Sequence, residues 1–487
     1  MPSGALLNLA FAPYQQWYVA LVALVPLFYA IESLPSGRVF IAGLVYGVSF
    51  FAGHLWWLFR LVVPVTQVSR LLLDFGVVLL FGYLGLQVGL FALLTRRLGL
   101  LLGPFCWAGL EWLRSQGEIG FPWGLLGSGL TAAVPLIQIA SLIGVYGVSA
   151  FLVGVNLLVY KALFSRSRQL YMGLLALTLL SSATYGYIRT SLPSRAPAAT
   201  GQTLVGIIQP NVSPFDKGHP SVRDSIWDAM LQWAGQAIDR GARLLLFPET
   251  ASLVDLRTPS RLRVGLQRLA DSTQTLIVIG TPVYHASGGY GNGCTVLIPG
   301  GGLGPLYLKT HLTPFSEHFP YVHKVPVFRR IMTADMGDAQ PGKELVVFRI
   351  AGLEFCTPIC FEGIFPELVR QFVVRGARAI MVITNDGWFG STPGPYQHCE
   401  LMVMRAVENG VPLLRSANNG ISLFADSYGR IRSKTSLFAV AELTDVLPPA
   451  LPMTPFVRYG YWFAPISGLL VTLVAFSRVV LGRARRR

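Results

Sequence analysis

The sequence predicts a two-part protein, a polytopic α-helical membrane domain joined to an α/β layered sandwich. Of its 487 residues, 52% are hydrophobic and 13% charged, too apolar for an ordinary soluble enzyme. The acidic residues are unevenly placed: only Glu32, Asp74, Glu111 and Glu118 precede position 200, and the other twenty of 24 follow it. Past that point, long apolar stretches give way to short apolar runs separated by polar helical segments.

Apolar stretches fall near 4 to 13, 16 to 34, 39 to 59, 71 to 94, 99 to 113, 136 to 163, 169 to 188 and 462 to 480. A helix needs ~20 residues to cross the hydrocarbon core. They predict about seven membrane helices in residues 1–191 and one more in 451–487, the first and fifth being the shortest. The N-terminus lacks the basic start and small-residue cleavage site of a signal peptide and is read as retained. Glu111 in LEWLRS is expected to pair with Arg114.

The net charge of +15 does not point to nucleic acid, because the basic residues of the first half sit in short groups between apolar stretches. Arg38, the pair Arg96 and Arg97, the group Lys161, Arg166 and Arg168, and the tail Arg483, Arg485, Arg486 and Arg487 occupy alternate connections. Positive charge is retained on the cytoplasmic side, so the segment between the seventh and eighth helices faces outward, in a bacterium the periplasm. Arg189 and Arg195 lie on that outer side, against the bias.

Residues 192–202, LPSRAPAATGQ, have linker composition, and residues 203–450 form the second domain. Its expected strands are 203 to 209, 243 to 249, 275 to 281, 294 to 300, 345 to 350, 353 to 362, 379 to 386 and 412 to 418. Expected helices fill 221 to 240, 258 to 272, 364 to 376 and 395 to 409. Continuous Val/Ile/Leu runs mark strands buried on both faces. PGGGLGP at 299 to 305 reads as a hairpin turn.

Five cysteines are too few and too scattered for a disulfide framework, and the histidines show no metal-binding spacing. Three reactive side chains stand where strands should end: Glu249 in LLLFPET, Lys309 in LYLKTHLTPFSE and Cys360 in FCTPICFEG. A thiol needs a base or a nearby positive charge to become a nucleophile, which Glu249 and Lys309 could supply. In acyl transfer, Lys309 and the Phe361 N–H could bind the developing oxyanion. Cys356 competes with Cys360, but it is placed mid-strand, whereas Cys360 meets a turn at FEG. Four residues of strand, ~13 Å, would separate the two, too far for the ~7 Å Cα spacing of a disulfide. For each of these residues the alternative is structural, a core cysteine or a solvated turn residue.

The ordered set FPE with Glu249, YLKTHLTPFSE with Lys309 and Glu317, CFEG with Cys360, and NDGWFG at 385 to 390 resembles the Glu-Lys-Cys signature of the nitrilase, or carbon-nitrogen hydrolase, superfamily. With membrane helices on both sides, FPWG at 121 to 124 and PYQH at 395 to 398, the resemblance narrows to the apolipoprotein N-acyltransferase family. It implies a nitrilase-like αββα sandwich, no cofactor and no metal. It also implies a membrane phospholipid as acyl donor, a diacylglyceryl lipoprotein as acceptor, and a chain embedded in the bacterial inner membrane. Cys360 would carry the acyl chain as a thioester, with Glu249 as general base and acid and Lys309 as oxyanion partner. Glu317 would orient Lys309 or the amine, and Glu362 would support the nucleophile's loop. Phe361 stands where the family commonly has Tyr, and Gly218 where it has Trp.

Trp388, Phe389 and Tyr396 read either as a cover for the acyl chain or as core packing. Nothing reads as a dimer face, so a monomer is expected. Two rivals are a membrane-anchored amidase acting on a small C–N substrate and a transporter with an extra domain. Seven helices exceed what an anchor needs, and residues 1 to 190 show no paired repeat.

Overall fold

The computed structural model describes every residue except Met1, 63–66, 192–202, 214–219, Ser287, Phe319, 322–338 and 485–487. The expected linker, Arg195, Gly218, His323 and the last three arginines therefore lie outside the described residues. The chain divides into two compact units, one of Met1–Gln116, Gly120–Pro193 and Thr454–Arg487, the other of Gly117–Ile119 and Ser194–Met453.

The first unit is helical. Ser36–Arg60, Arg70–Leu98 and Ala140–Phe164 are long and apolar enough to cross a bilayer, while Trp17–Ser33 and Phe463–Arg478 are apolar but shorter. Arg168–Ser191 has the length, 24 residues, with a more polar composition. The stretch 4 to 13 differs from expectation. It forms a five-residue helix and a four-residue 3-10 turn, too short for a ~30 Å core, and Pro13 follows without the N–H a longer helix would need. The stretch 99 to 113 contributes a 12-residue helix, Gly103–Arg114.

Helices Ser36–Leu55 and Gln67–Leu98 pack through small residues. A side chain at Gly47 would come within 2.9 Å of the Gly85 Cα, and one at Gly43 within 3.0 Å of the Gly89 Cα. Close backbone approach of this kind replaces the hydrophobic driving force that lipid removes.

Basic groups gather at one end of this unit. Arg96 Nη1 donates to the Glu32 carbonyl at 3.1 Å, Lys161 Nζ pairs with Glu32 Oε1 at 2.8 Å, and Arg478 Nη2 donates to the Leu98 carbonyl at 3.1 Å. Arg189 hydrogen-bonds Gln138. The expected pairing of Glu111 with Arg114 is not the one formed. Glu111 Oε1 accepts from Trp107 Nε1 and from the Leu126 N–H, each at 2.8 Å, and the Arg114 guanidinium lies 5.2 Å from the centre of the Phe51 ring. Neutral donors take the hydrogen bonds of the carboxylate, and Arg114 acts on it through charge without a direct salt bridge.

The second unit is built on twelve strands: β1 Leu204–Gln209, β2 Leu244–Leu246, β3 Leu276–Tyr284, β4 Tyr290–Ile298, β5 Gly302–Leu308, β6 Phe348–Ile350, β7 Leu353–Cys356, β8 Ala379–Thr384, β9 Leu413–Ala417, β10 Leu423–Ala425, β11 Ile431–Lys434 and β12 Ala441–Val446. They form two six-stranded sheets, ordered β12-β1-β2-β3-β4-β5 and β11-β10-β9-β8-β7-β6. Each centre is parallel, β1-β2-β3 in one sheet and β7-β8-β9 in the other. Helices Pro220–Asp239 and Arg261–Thr273 cover the first sheet, burying Trp227, Met230, Leu262 and Leu266 against Ile208, Leu245, Phe247 and Ile277. Gly394–Asn409 packs on β9 and against Pro366–Val374 over the second sheet. The sheets meet where Ser416 Oγ donates to the Ile208 carbonyl at 3.0 Å. This is an αββα sandwich. Its layers leave the ends of the parallel strands open for loops that carry chemistry.

Candidate active site

Glu249 follows β2 by three residues. Its turn lies so close to β3 that a side chain at Gly280 would overlap the Pro248 carbonyl and the Glu249 Cα, so glycine is required there. Only 6% of Glu249 is exposed. Asn292 Nδ2, from β4, donates to Glu249 Oε1 at 2.6 Å and to Glu317 Oε1 at 3.2 Å.

Lys309 leaves the end of β5, its N–H donating to the Asn292 carbonyl at 2.8 Å. Its ammonium is buried. It lies 2.7 Å from Glu317 Oε2, 3.9 Å from Glu249 Oε1 and 3.5 Å from Thr313 Oγ1. The Thr313 N–H also donates to Glu317 Oε2, at 2.8 Å. Burial opposes the charge on Lys309, but Glu317 and then Glu249 outweigh it and hold the ammonium above its ordinary range. Burial likewise opposes ionisation of Glu317, and Lys309 outweighs it to hold that carboxyl below its usual range.

Cys360 does not end a strand as expected. Strand β7 stops at Cys356, which is fully buried, and Cys360 opens the 3-10 turn Cys360–Ile364 with φ at 54°. Left-handed backbone is costly for a residue with a Cβ, and such strain gathers where a side chain must be aimed. The residue is part-exposed, yet its thiol is enclosed and pushed up to about 12. Burial is the first cause and the Glu249 charge the second; Lys309 and a hydrogen bond with Thr384 pull it down, while Asp386 raises it. The resting thiol is thus neutral and would need a base to act as a nucleophile.

Glu362 anchors the turn. Its Oε1 accepts from Tyr307 Oη at 2.7 Å, the Thr310 N–H at 2.7 Å, Thr310 Oγ1 at 2.8 Å and the His311 N–H at 3.0 Å. Its Oε2 accepts from the Ile359 N–H at 2.8 Å. One carboxylate therefore ties the segment after Lys309 to the segment before Cys360. The Phe361 ring packs on Phe365, 5.1 Å between centroids, and on His311, while its N–H opens a 3-10 turn, where backbone donors lack an intrahelical partner.

The structure thus brings Glu249, Lys309, Glu317, Cys360 and Glu362 together. The aromatic residues divide. Trp388 and Tyr396 are 37% and 36% exposed, whereas the Phe389 ring meets the His398 ring edge-on at 5.5 Å. Asn292 and Thr313 were not legible as site residues, since a lone Asn in YGNGC and a Thr in a loop carry no spacing signal. Nor was the fully buried cluster under Cys360, in which Asp386 accepts from Arg415 at 2.7 Å and meets His398 Nδ1 at 3.0 Å. The Asp of NDGWFG and the His of PYQH were its visible members, with nothing in the spacing to join them. Among the described residues no group of three or more His, Cys, Asp or Glu could hold a metal ion.

Comparison with known proteins agrees across the chain. Residues 3–158 match the family described as apolipoprotein N-acyltransferase N-terminal domain, and residues 204–442 match carbon-nitrogen hydrolase. Curated apolipoprotein N-acyltransferases are similar over nearly the full length. That of Geobacter metallireducens is 33% identical, covering 98% of this chain and 94% of its own, and that of Brucella melitensis is 30% identical, covering 100% and 95%. Among solved structures, an amidase from Nesterenkonia sp. is 21% identical over 51% of this chain and 90% of its own, with a TM-score of 0.40. With three helices among the described residues able to cross a bilayer, this is a membrane protein, and the chain belongs to the apolipoprotein N-acyltransferase family.

Proposed function

We propose that this chain moves a fatty acyl group from a membrane phospholipid, through a thioester on Cys360, to the α-amino group of a diacylglyceryl-cysteine lipoprotein. The observation that carries the reading is one enclosed thiol, on a left-handed turn, within electrostatic reach of both Glu249 and Lys309. Residues 203–450 act as the catalytic domain, and residues 1–191 and 451–487 hold it in the inner membrane. The gathering of Arg96, Lys161 and Arg478 at one end of the helical unit supports an outward, periplasmic catalytic domain. A monomer suffices, since all the residues invoked come from one chain.

Glu249 takes the proton of Cys360 as the sulfur attacks the ester carbonyl, because a thiol held near 12 is not ionised beforehand. Lys309 spends one N–H on Glu317 and one on Thr313, and the third, toward Glu249, is left for the oxyanion, alongside the Phe361 N–H. Glu317 keeps Lys309 charged and aimed. Collapse of the tetrahedral intermediate expels the lysophospholipid alkoxide, which takes the proton back from Glu249. In the second half, Glu249 accepts a proton from the incoming amine, and collapse yields the amide and restores the thiol. Trp388, in the 3-10 turn Asp386–Phe389, and Tyr396, in the first turn of the helix Gly394–Asn409, are part-exposed rings that would cover the acyl chain and keep water from the thioester.

The test is to incubate the full chain with a phospholipid carrying an alkyne-tagged acyl chain. A hydroxylamine-cleavable tag on Cys360, absent from Cys360→Ala and transferred to a diacylglyceryl peptide, is expected. An untagged Cys360 that instead reacts with short amides would overturn the proposal in favour of an amidase.

A further inference from the structure

Strand β8 ends beside the nucleophile. Ile359 bridges Ile383 in parallel register, and the Ile383 N–H reaches the Pro358 carbonyl at 3.4 Å, so the next residue on each side, Cys360 and Thr384, are neighbours. Thr384 is fully buried, and its hydroxyl is the polar neighbour that helps pull the Cys360 thiol down. The same hydroxyl donates to Asp386 Oδ1 at 3.1 Å. Asp386 does not depend on that bond. Arg415 Nη2 gives it 2.7 Å and 3.0 Å contacts, and His398 Nδ1 lies at 3.0 Å. Arg415 is itself held by the Ile421 carbonyl at 2.6 Å.

A hydroxyl carries one proton and here faces two acceptors. While Cys360 is a thiol, Thr384 donates to Asp386. Once the thiol proton passes to Glu249, the sulfur keeps the electron pair and becomes a second anion beside the hydroxyl. We propose that Thr384 is a positioning residue for the nucleophile, its hydroxyl turning from Asp386 to the Cys360 sulfur as the thiolate forms, which the Asp386–Arg415–His398 cluster permits by satisfying Asp386 without it. The charged and titratable groups facing the sulfur are Glu249 from the turn after β2, Lys309 after β5, Asp386 after β8 and Arg415 in β9. His398, on the helix over the second sheet, lies behind Asp386.

This inference rests on Cys360 being the nucleophile, and its test does not require the lipid reading. In the detergent-solubilised full chain, alkylation of Cys360 by iodoacetamide is followed against pH by peptide mass spectrometry, for wild type, Thr384→Val, Thr384→Ala and Thr384→Ser. A hydrogen bond to a charged group is strong enough to move a titration by about one unit. Thr384→Val and Thr384→Ala are expected to raise the alkylation midpoint by about one unit and to slow acyl-enzyme formation about tenfold. Thr384→Ser is expected to stay near wild type in both. Thr384→Ala serves if the valine is not accommodated, and thermal melts identify folded variants. A midpoint that stays put or falls in the folded variants overturns the proposal. Failure of wild type to form an acyl-enzyme, with the midpoint shift intact, would count against the lipid reading alone.

Discussion

Lys309 Nζ stands 2.7 Å from Glu317 Oε2, with the pair almost sealed from solvent. A buried ion pair of this kind is costly to halve, because the remaining charge keeps its desolvation penalty. Lys309→Met leaves Glu249 and Glu317 bridged by Asn292 and without their cation. Removing one oxyanion donor costs about 3 to 4 kcal/mol of barrier. Acyl-enzyme formation on Cys360 is expected to fall on the order of 10²- to 10³-fold, read by single-turnover labelling. A loss under tenfold would remove Lys309 from the oxyanion role.

Glu249→Gln separates two effects. Without the base, thioester formation should stop. The carboxylate charge, however, is second only to burial in raising the Cys360 thiol, so its neutralisation should lower the iodoacetamide midpoint and speed alkylation at pH 8. Slower alkylation in this variant would contradict the electrostatic account of the site.

Glu362→Gln replaces an oxygen that accepts four hydrogen bonds with a group holding one acceptor and two donors. A loss of stability on the order of 3 kcal/mol is expected, together with reduced acylation, since both catalytic loops hang on this carboxylate. Thermal melting beside acyl labelling measures both. A wild-type melting temperature would show the five donors to be satisfied elsewhere.

The contribution of the Lys309–Glu317 pair to the stability of the catalytic domain should plateau between about pH 5 and pH 10. Glu317 is held below its ordinary 4.5, so its contribution is complete above that value and is lost as pH falls through the lower, folded one. Lys309 is held above its ordinary 10.5, so its contribution is complete below that value and lost as pH rises through the higher, folded one. Melting temperatures across pH 3 to 12 check this. In Glu317→Gln the acid limb should become shallower.

Much of the architecture was legible because burial leaves a one-dimensional trace. The runs TLVGIIQ, RLLLFPE and AIMVITND are buried on both faces, and each holds a parallel strand at a sheet centre. The edge strands left no such trace. Strand β11 is IRSK, largely exposed, and β12 is AELTDV, half-buried with two acids, so neither alternates nor runs apolar. The stretch 4 to 13 misled in the opposite direction, since apolar composition alone does not distinguish a crossing from a short helix tucked into its own unit.

The nucleophile's setting shows the same boundary. Composition and order singled out Glu249, Lys309 and Cys360 as candidates for one chemistry, because reactive side chains follow apolar strands where a scaffold presents them. Only folding settled that Cys360 sits in left-handed backbone, that Asn292 ties two carboxylates 25 residues or more away along the chain, and that Arg415 reaches Asp386 across 29 residues. The reason is physical. Apolar periodicity is written locally, residue against neighbour, whereas the distance between two buried charges is set by which sheets stack and in what register, and no spacing along the chain encodes that.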